Sequence, residues 1–273
     1  MYDANWNEVD NVKDAKYTDY RYYGANDEKL KNYVTFNNET WRIIGVVTTE
    51  NANNETVSLV KIMRNESASM KWDESNNDTW TRPATLNTYL NGKYLSGTLA
   101  ESEKLGVGAG RLGLNKEARE MVEPNTTWYI TAQNTMGTSR NNELYKERNN
   151  YTYTSGEETK NITATKWKGT VGLMNPSDYG YAAPKGCTSN LGSYINANCS
   201  AKDWIHIGAN QWTLSARSGS PYNVWYVYNN GNFDNYDADG PGRGVRPVVY
   251  LKSDVHLIGN GDGSIESPYI IGA

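Results

Sequence analysis

Runs of β-branched and aromatic residues recur along the chain at Tyr33–Phe36, Trp41–Thr48, Val57–Met63, Thr127–Thr131 and Gly169–Met174, and they predict strands. Further runs follow at Trp212–Ser215, Val224–Tyr228, Val245–Leu251 and Tyr269–Ile271. Asn37-Asn38 between the first two runs predicts a hairpin turn, because Asn tolerates the left-handed backbone such turns need. Helical spacing is rarer. Ala84–Leu95 places Leu86, Tyr89 and Leu90 on one face, and Asn115–Val122 offers Ala118, Met121 and Val122 before Pro124 stops it. Strands at both ends with two short helices in the middle, and no alternating βα units, predict an α+β fold built mainly on antiparallel strands.

No Pro/Gly/Ser-rich linker divides the chain. Residues 1–30 read as a lead-in following a removed signal or anchor, 31–255 as one domain and 256–273 as a C-terminal β tail. Within the domain the polar stretch 134–165 reads as an excursion. No apolar run approaches the roughly 18 residues that would span a bilayer, so contact with a membrane is expected only through a removed N-terminal anchor.

The chain has 273 residues and a formal charge of -4, with no Lys/Arg block. Nucleic-acid binding, which needs clustered positive charge to neutralise phosphates, is therefore set aside. Aromatic usage is skewed, with 9 Trp and 21 Tyr against 2 Phe, and Asn reaches 34. Tyr and Trp favour surfaces that are apolar and hydrogen-bonding at once, and Asn favours turns. The only two cysteines, Cys187 and Cys199, have eleven residues between them in a Gly/Ser/Asn-rich stretch. They read as a disulfide and hence an extracellular or cell-surface location, with two unrelated thiols as the alternative.

Several patterns invite chemistry without completing it. The glycines of Gly106–Gly113 imitate a dinucleotide loop but follow no strand, and a flexible loop is the expectation. Asn235, Asp237, Asp239 and Gly240 match the first half of a calcium loop, yet the twelfth position is Arg246. No cofactor is expected, with a looser Ca²⁺ site through Asp234, Asp237 or Asp239 as the one alternative. Neither His206 nor His256 stands in a catalytic pattern, and no metal site is expected.

The segment between Trp212–Ser215 and Val245–Leu251 holds about 29 residues dense in Tyr, Asn, Asp, Gly and Ser. A long ligand-binding loop region is expected there, since ordering a loop costs entropy that packing or binding must offset. Tyr and Trp give large contact area with few rotors to freeze, and Asn, Ser and Gly give adaptable hydrogen bonds, as in antibody paratopes. The same mixture suits sugars. Val224 and Val227 cannot both face inward on a regular strand, so a bulge or turn is expected between them. The expected ligand contacts are Tyr222, Trp225, Tyr226, Tyr228, Phe233 and Tyr236 as aromatic anchors, with Asn223, Asn230, Asn232, Asn235, Asp237, Asp239 and Arg243 as hydrogen-bonding partners.

Trp41-Arg42, Leu86-Asn87 with Leu90-Asn91, Trp212-Thr213-Leu214 and Gly244-Val245-Arg246-Pro247 together resemble the landmarks of a large family of bacterial surface proteins with a C-type-lectin-like fold. The resemblance covers about residues 33–253. It implies a rigid scaffold presenting residues 218–243 to a protein or glycan on another cell or surface, without catalysis. The same fold is used by retroelement-diversified variable proteins, whose ligand positions mutate at adenines, and codons reached from Asn in that way include Tyr, Asp, Ser and Gly. Calcium lectins of this fold use a Glu-Pro-Asn tripeptide, but Glu123-Pro124-Asn125 follows the second helix and reads as its stop. Two other functions compete: a pilin-like structural subunit that self-associates, and an oxidase related to formylglycine-generating enzymes, whose working cysteines lie near the final strands rather than upstream of Trp212.

Overall fold

The structure is a computed structural model that describes residues 6–9, 19–26, 29–134 and 139–273, the first of these stretches by its backbone alone. The chain begins with strands β1 (Trp6–Val9), β2 (Asp19–Tyr22), β3 (Tyr33–Phe36), β4 (Glu39–Glu50), β5 (Thr56–Arg64) and β6 (Ala68–Met70). Helices α1 (Thr85–Tyr89) and α2 (Lys116–Met121), strand β7 (Thr126–Tyr129) and helix α3 (Arg140–Arg148) follow. Next come β8 (Tyr151–Ser155), β9 (Glu158–Ile162), β10 (Lys166–Gly169), β11 (Val171–Gly172) and α4 (Pro176–Ala182). The chain closes with β12 (Gln211–Ala216), β13 (Asn223–Val227), β14 (Phe233–Asp237), β15 (Arg243–Val245), β16 (Val248–Tyr250), β17 (His256–Leu257) and β18 (Tyr269–Gly272).

Among the described residues one sheet runs β11-β16-β5-β4-β3-β18-β17, with β2 laid beside β4 and β1 beside β2, and a second runs β14-β13-β12-β15-β6. The protein is thus β-rich α+β. Pairing is mostly antiparallel; β18 on β3 and β15 on β12 are parallel. One continuous core joins the two sheets, with Trp41, Ile62 and Val248 from the first, Trp212, Leu214 and Val224 from the second, and Leu86, Leu90, Ala118 and Tyr179 from the helices.

Local chemistry explains most boundaries. Asn37 and Asn38 take φ of 57° and 59°, which bends β3 into β4 as their sequence promised. Asn115 caps α2 by accepting from the Ala118 backbone N–H at 2.7 Å. The helix begun at Thr85 continues as a widened turn over Leu90–Tyr94, keeping Leu86, Leu90 and Tyr94 buried on one side. Gly45 sits at a register shift in β4, where a Cβ would lie 2.0 Å from the Tyr20 carbonyl oxygen. Only glycine lets β2 approach that closely.

Three expectations are corrected. The segment 1–30 is not wholly a lead-in, because β2 pairs through Tyr20 with Val46 and Arg21 with Gly45 and buries Asp19, Arg21 and Tyr22; residues 1–5, 10–18 and 27–28 lie outside the described residues. There are more than two helices: α3 and α4 were not foreseen. The polar excursion carries α3 and the β8–β9 hairpin, and α3 buries Arg140, Glu143, Leu144 and Glu147. Its residues 135–138 also lie outside the described residues.

The buried face of α3 belongs to an ionic core. Lys61 reaches Asp178 at 2.6 Å, Arg21 pairs with both Asp178 and Asp19, and Arg148 with Asp19 at 3.3 Å. Burial alone would raise the Asp178 carboxyl, but the Lys61 ammonium and the Arg21 guanidinium more than offset it and hold it at about 2. Glu147 accepts from the Ser177 backbone N–H at 2.8 Å and its hydroxyl at 2.6 Å, and burial still pushes its carboxyl up to about 7.

The glycine-rich loop has an ordered role too. Arg64 donates to Glu39 at 2.8 and 3.0 Å and to the carbonyls of Leu105 and Val107, and the Gly110 N–H donates to Glu39 at 3.0 Å. A Cβ at Gly110 would stand 2.2 Å from the Glu39 carboxylate. The loop wraps an ion pair and is not a free flexible segment.

Candidate functional site

The expected long loop is largely a β-hairpin. β13 and β14 pair without interruption from Asn223↔Asp237 to Val227↔Phe233, and β12 joins them through Trp212↔Tyr226. The irregularity expected between Val224 and Val227 falls instead in β12, between Trp212 and Ala216. β13 stays regular because both its faces are covered, which lets Val224, Trp225, Tyr226 and Val227 all be buried.

Strand alternation then sorts the expected contacts. Trp225 is 6% exposed and donates its indole N–H to the Gln133 carbonyl at 3.0 Å, and Phe233 packs edge-on against Tyr179 at 5.4 Å. Both are core rings and leave the expected ligand set. On the opposite face stand Trp212, Tyr226, Tyr228, Asp234 and Tyr236, with Arg243 reaching over from β15. The Arg243 guanidinium lies 4.6 Å from the Trp212 ring centroid, 4.2 Å from Tyr226 and 4.1 Å from Tyr236. It also donates to the Pro241 carbonyl at 3.0 Å. Each ring offers its electron-rich face to the cation, so the four side chains form one stacked unit.

Tyr236 within that unit, Tyr228 against Tyr226, and Tyr222 just before β13 remain 43%, 38% and 45% exposed. Tyr226 is buried, which raises its phenol pKa, and its hydroxyl lies 3.5 Å from Asp234. The Asn side chains are busy elsewhere. Asn230 accepts from the Asn232 N–H, and Asn232 accepts from the Ile195 N–H, so both fix the turn between β13 and β14. Asn223 donates to Asp237 at 2.7 Å, and Asn235 accepts from Arg217 at 3.4 Å on the side away from Tyr226. Asp239 lies beyond β14 and is half-buried.

Of the residues expected for a looser Ca²⁺ site, Asp234 and Asp237 sit on opposite faces of β14. Among the described residues no group of three or more His, Cys, Asp or Glu converges to hold a metal ion. His206 contacts the Asn229 carbonyl at 3.0 Å and His256 the Asp254 carbonyl at 2.9 Å. Cys187 and Cys199 form a disulfide.

Comparison with models of known families, with curated proteins and with solved structures returns no match to this chain. Among the described residues no helix is long and apolar enough to cross a membrane. Sequence reasoning missed Trp212 as part of the face, although its alternation with Leu214 carried the signal. Arg246, beyond the face, donates to the Arg64 carbonyl at 2.8 Å and so locks β16 beside β5 as the Gly-Val-Arg-Pro segment turns.

Proposed function

We propose that this chain is a non-catalytic ligand-binding protein displayed outside the cell, with a C-type-lectin-like scaffold. Its binding face is the tyrosine-bearing side of β12, β13 and β14. One observation carries the reading: three tyrosines of the hairpin keep about two-fifths of their surface in solvent, on a sheet whose arginine is already stacked on three rings. Rigid rings supply contact area at little entropic cost, and their hydroxyls with Asp234 supply direction. The ligand is a protein or a glycan. The disulfide supports an oxidising location. The face repeats the residue chemistry of retroelement-diversified proteins, and membership of that class is part of the proposal.

The test is binding of purified protein to arrayed glycans and arrayed surface proteins, wild type against Tyr228→Ala/Tyr236→Ala. Signals lost in the double variant with its melting temperature kept support the reading. Signals indifferent to the substitution refute it. A second reading, a self-associating subunit, draws on Leu257, Ile258, Ile265 and Ile270, which are 45–59% exposed around the β17–β18 edge of the first sheet. Sedimentation that stays monomeric at rising concentration would remove it.

A further inference from the structure

A second concave site lies outside the tyrosine face and shares none of its residues. Four segments wall a cavity of about 330 Å³: the loop Asp78–Thr81, the chain beyond β7 at Ile130 and Ala132, the foot of the β8–β9 hairpin at Ile162 and Thr165, and the tip of β12 from Leu214 to Ser220. The walls are fixed to one another. The Asp78 N–H donates to the Pro221 carbonyl, the Ile130 N–H to the Thr165 carbonyl at 2.9 Å, and the Tyr153 hydroxyl meets the Ser218 hydroxyl at 3.1 Å. The volume stands at the low end for small-molecule pockets, enough for one compact ligand.

Asp78 in the walls lacks the counter-charge its chemistry asks for. It is 8% exposed; its carboxyl accepts from the Thr79 side chain and from its own backbone N–H, but no cation pairs with it among the described residues, and burial pushes it up to about 6. A buried carboxylate without a counter-charge is costly, which is the signature of a group kept for something that arrives. Arg217 stands exposed at the mouth, its guanidinium reaching the Asn235 amide oxygen at 3.4 Å. Ile130, Ile162 and Leu214 supply an apolar wall.

We propose that this cavity binds a small zwitterion, an apolar α-amino acid. Its ammonium pairs with Asp78, its carboxylate faces Arg217, and its side chain lies against Ile130, Ile162 and Leu214. An oligosaccharide is too large for the cavity, and a simple anion would meet the Asp78 carboxylate. The β8–β9 hairpin then has a function, since its foot closes one side of the site.

The experiment titrates L-leucine, N-acetyl-L-leucine, isopentylamine and methyl α-glucoside into the full chain, read by calorimetry and by tryptophan fluorescence. L-Leucine is expected to bind saturably, and N-acetyl-L-leucine, which lacks the ammonium, at least about tenfold more weakly. Asp78→Asn should weaken L-leucine by a similar factor. Arg217→Ala, at an exposed position, should weaken L-leucine while leaving isopentylamine, which has no carboxylate, unchanged. If Asp78→Asn does not fold, the ligand series on the wild type and Arg217→Ala decide. No saturable response to L-leucine, equal binding of the acetylated compound, or displacement of L-leucine by methyl α-glucoside would each overturn the proposal.

Discussion

Replacing Trp225 by Ala separates the core of the β12–β14 sheet from its surface. The indole is almost entirely buried and donates to the Gln133 carbonyl. Truncating a buried Trp costs about 3–5 kcal/mol, counting lost transfer energy and the cavity left behind. The orphaned Gln133 carbonyl still accepts from the Ser218 N–H at 2.8 Å, so the lost indole hydrogen bond adds no more than about 1 kcal/mol. At about 2–3 °C per kcal/mol for a chain of this size, the melting temperature should fall by roughly 6–18 °C. Tyr236→Ala is the control, since its ring is 43% exposed and its stacking on Arg243 is worth about 0.5–1 kcal/mol. Its melting temperature should fall by at most about 3 °C. Calorimetric scans of both variants against the wild type decide. If Trp225→Ala melts no lower than Tyr236→Ala, the assignment of the two faces is wrong.

Three further outcomes follow from the ionic core and the disulfide. Asp178→Asn leaves Lys61 and Arg21 facing each other without their shared carboxylate, and guanidinium denaturation should show a loss of about 3–5 kcal/mol. Glu147 binds its proton up to about pH 7 when folded but only to about 4.5 when unfolded. Between those values the folded state holds more protons, so this group makes stability fall as pH rises, and Glu147→Gln should flatten the fall in pH-dependent melting curves. Reducing the Cys187–Cys199 bond, which spans 12 positions, should cost about 3 kcal/mol, measured as the shift in denaturation midpoint with and without reductant.

What the sequence disclosed follows from where its signals were apolar and local. The strands from Tyr33 to Met63 are legible because β-branched runs end at Asn turns, and α2 because Asn115 and Pro124 bracket it. α3 stayed hidden although its buried positions, 140, 143, 144 and 147, have helical spacing. Three of them are charged, so a search for apolar periodicity passes over them. α4 was announced by Asn175-Pro176 with Asp178 at the third helical position, where its carboxylate accepts from the Asn175 N–H at 2.8 Å. That signal was present and unused. At the site, composition pointed to the right segment, but sorting Trp225 from Tyr226 required knowing that both faces of β13 are covered. Asp78 and Trp80 lay in a polar stretch whose meaning depends on the β12 tip, more than 130 residues away.

Building the tyrosine face on a regular hairpin also dictates how related sequences can drift. A free loop would accept change at consecutive positions, whereas here the exposed Tyr222, Tyr228, Asp234 and Tyr236 stand around Val224, Trp225, Tyr226, Val227 and Phe233, which the interior holds. Surface substitutions typically move stability by about 0.5 kcal/mol or less, and core ones by several times that. Variation among descendants should therefore fall at the two ends of β13 and at Asp234 and Tyr236 of β14, with Val224–Val227 fixed between them. The chain can acquire a new partner by rewriting those exposed positions while the sheet beneath them keeps its shape.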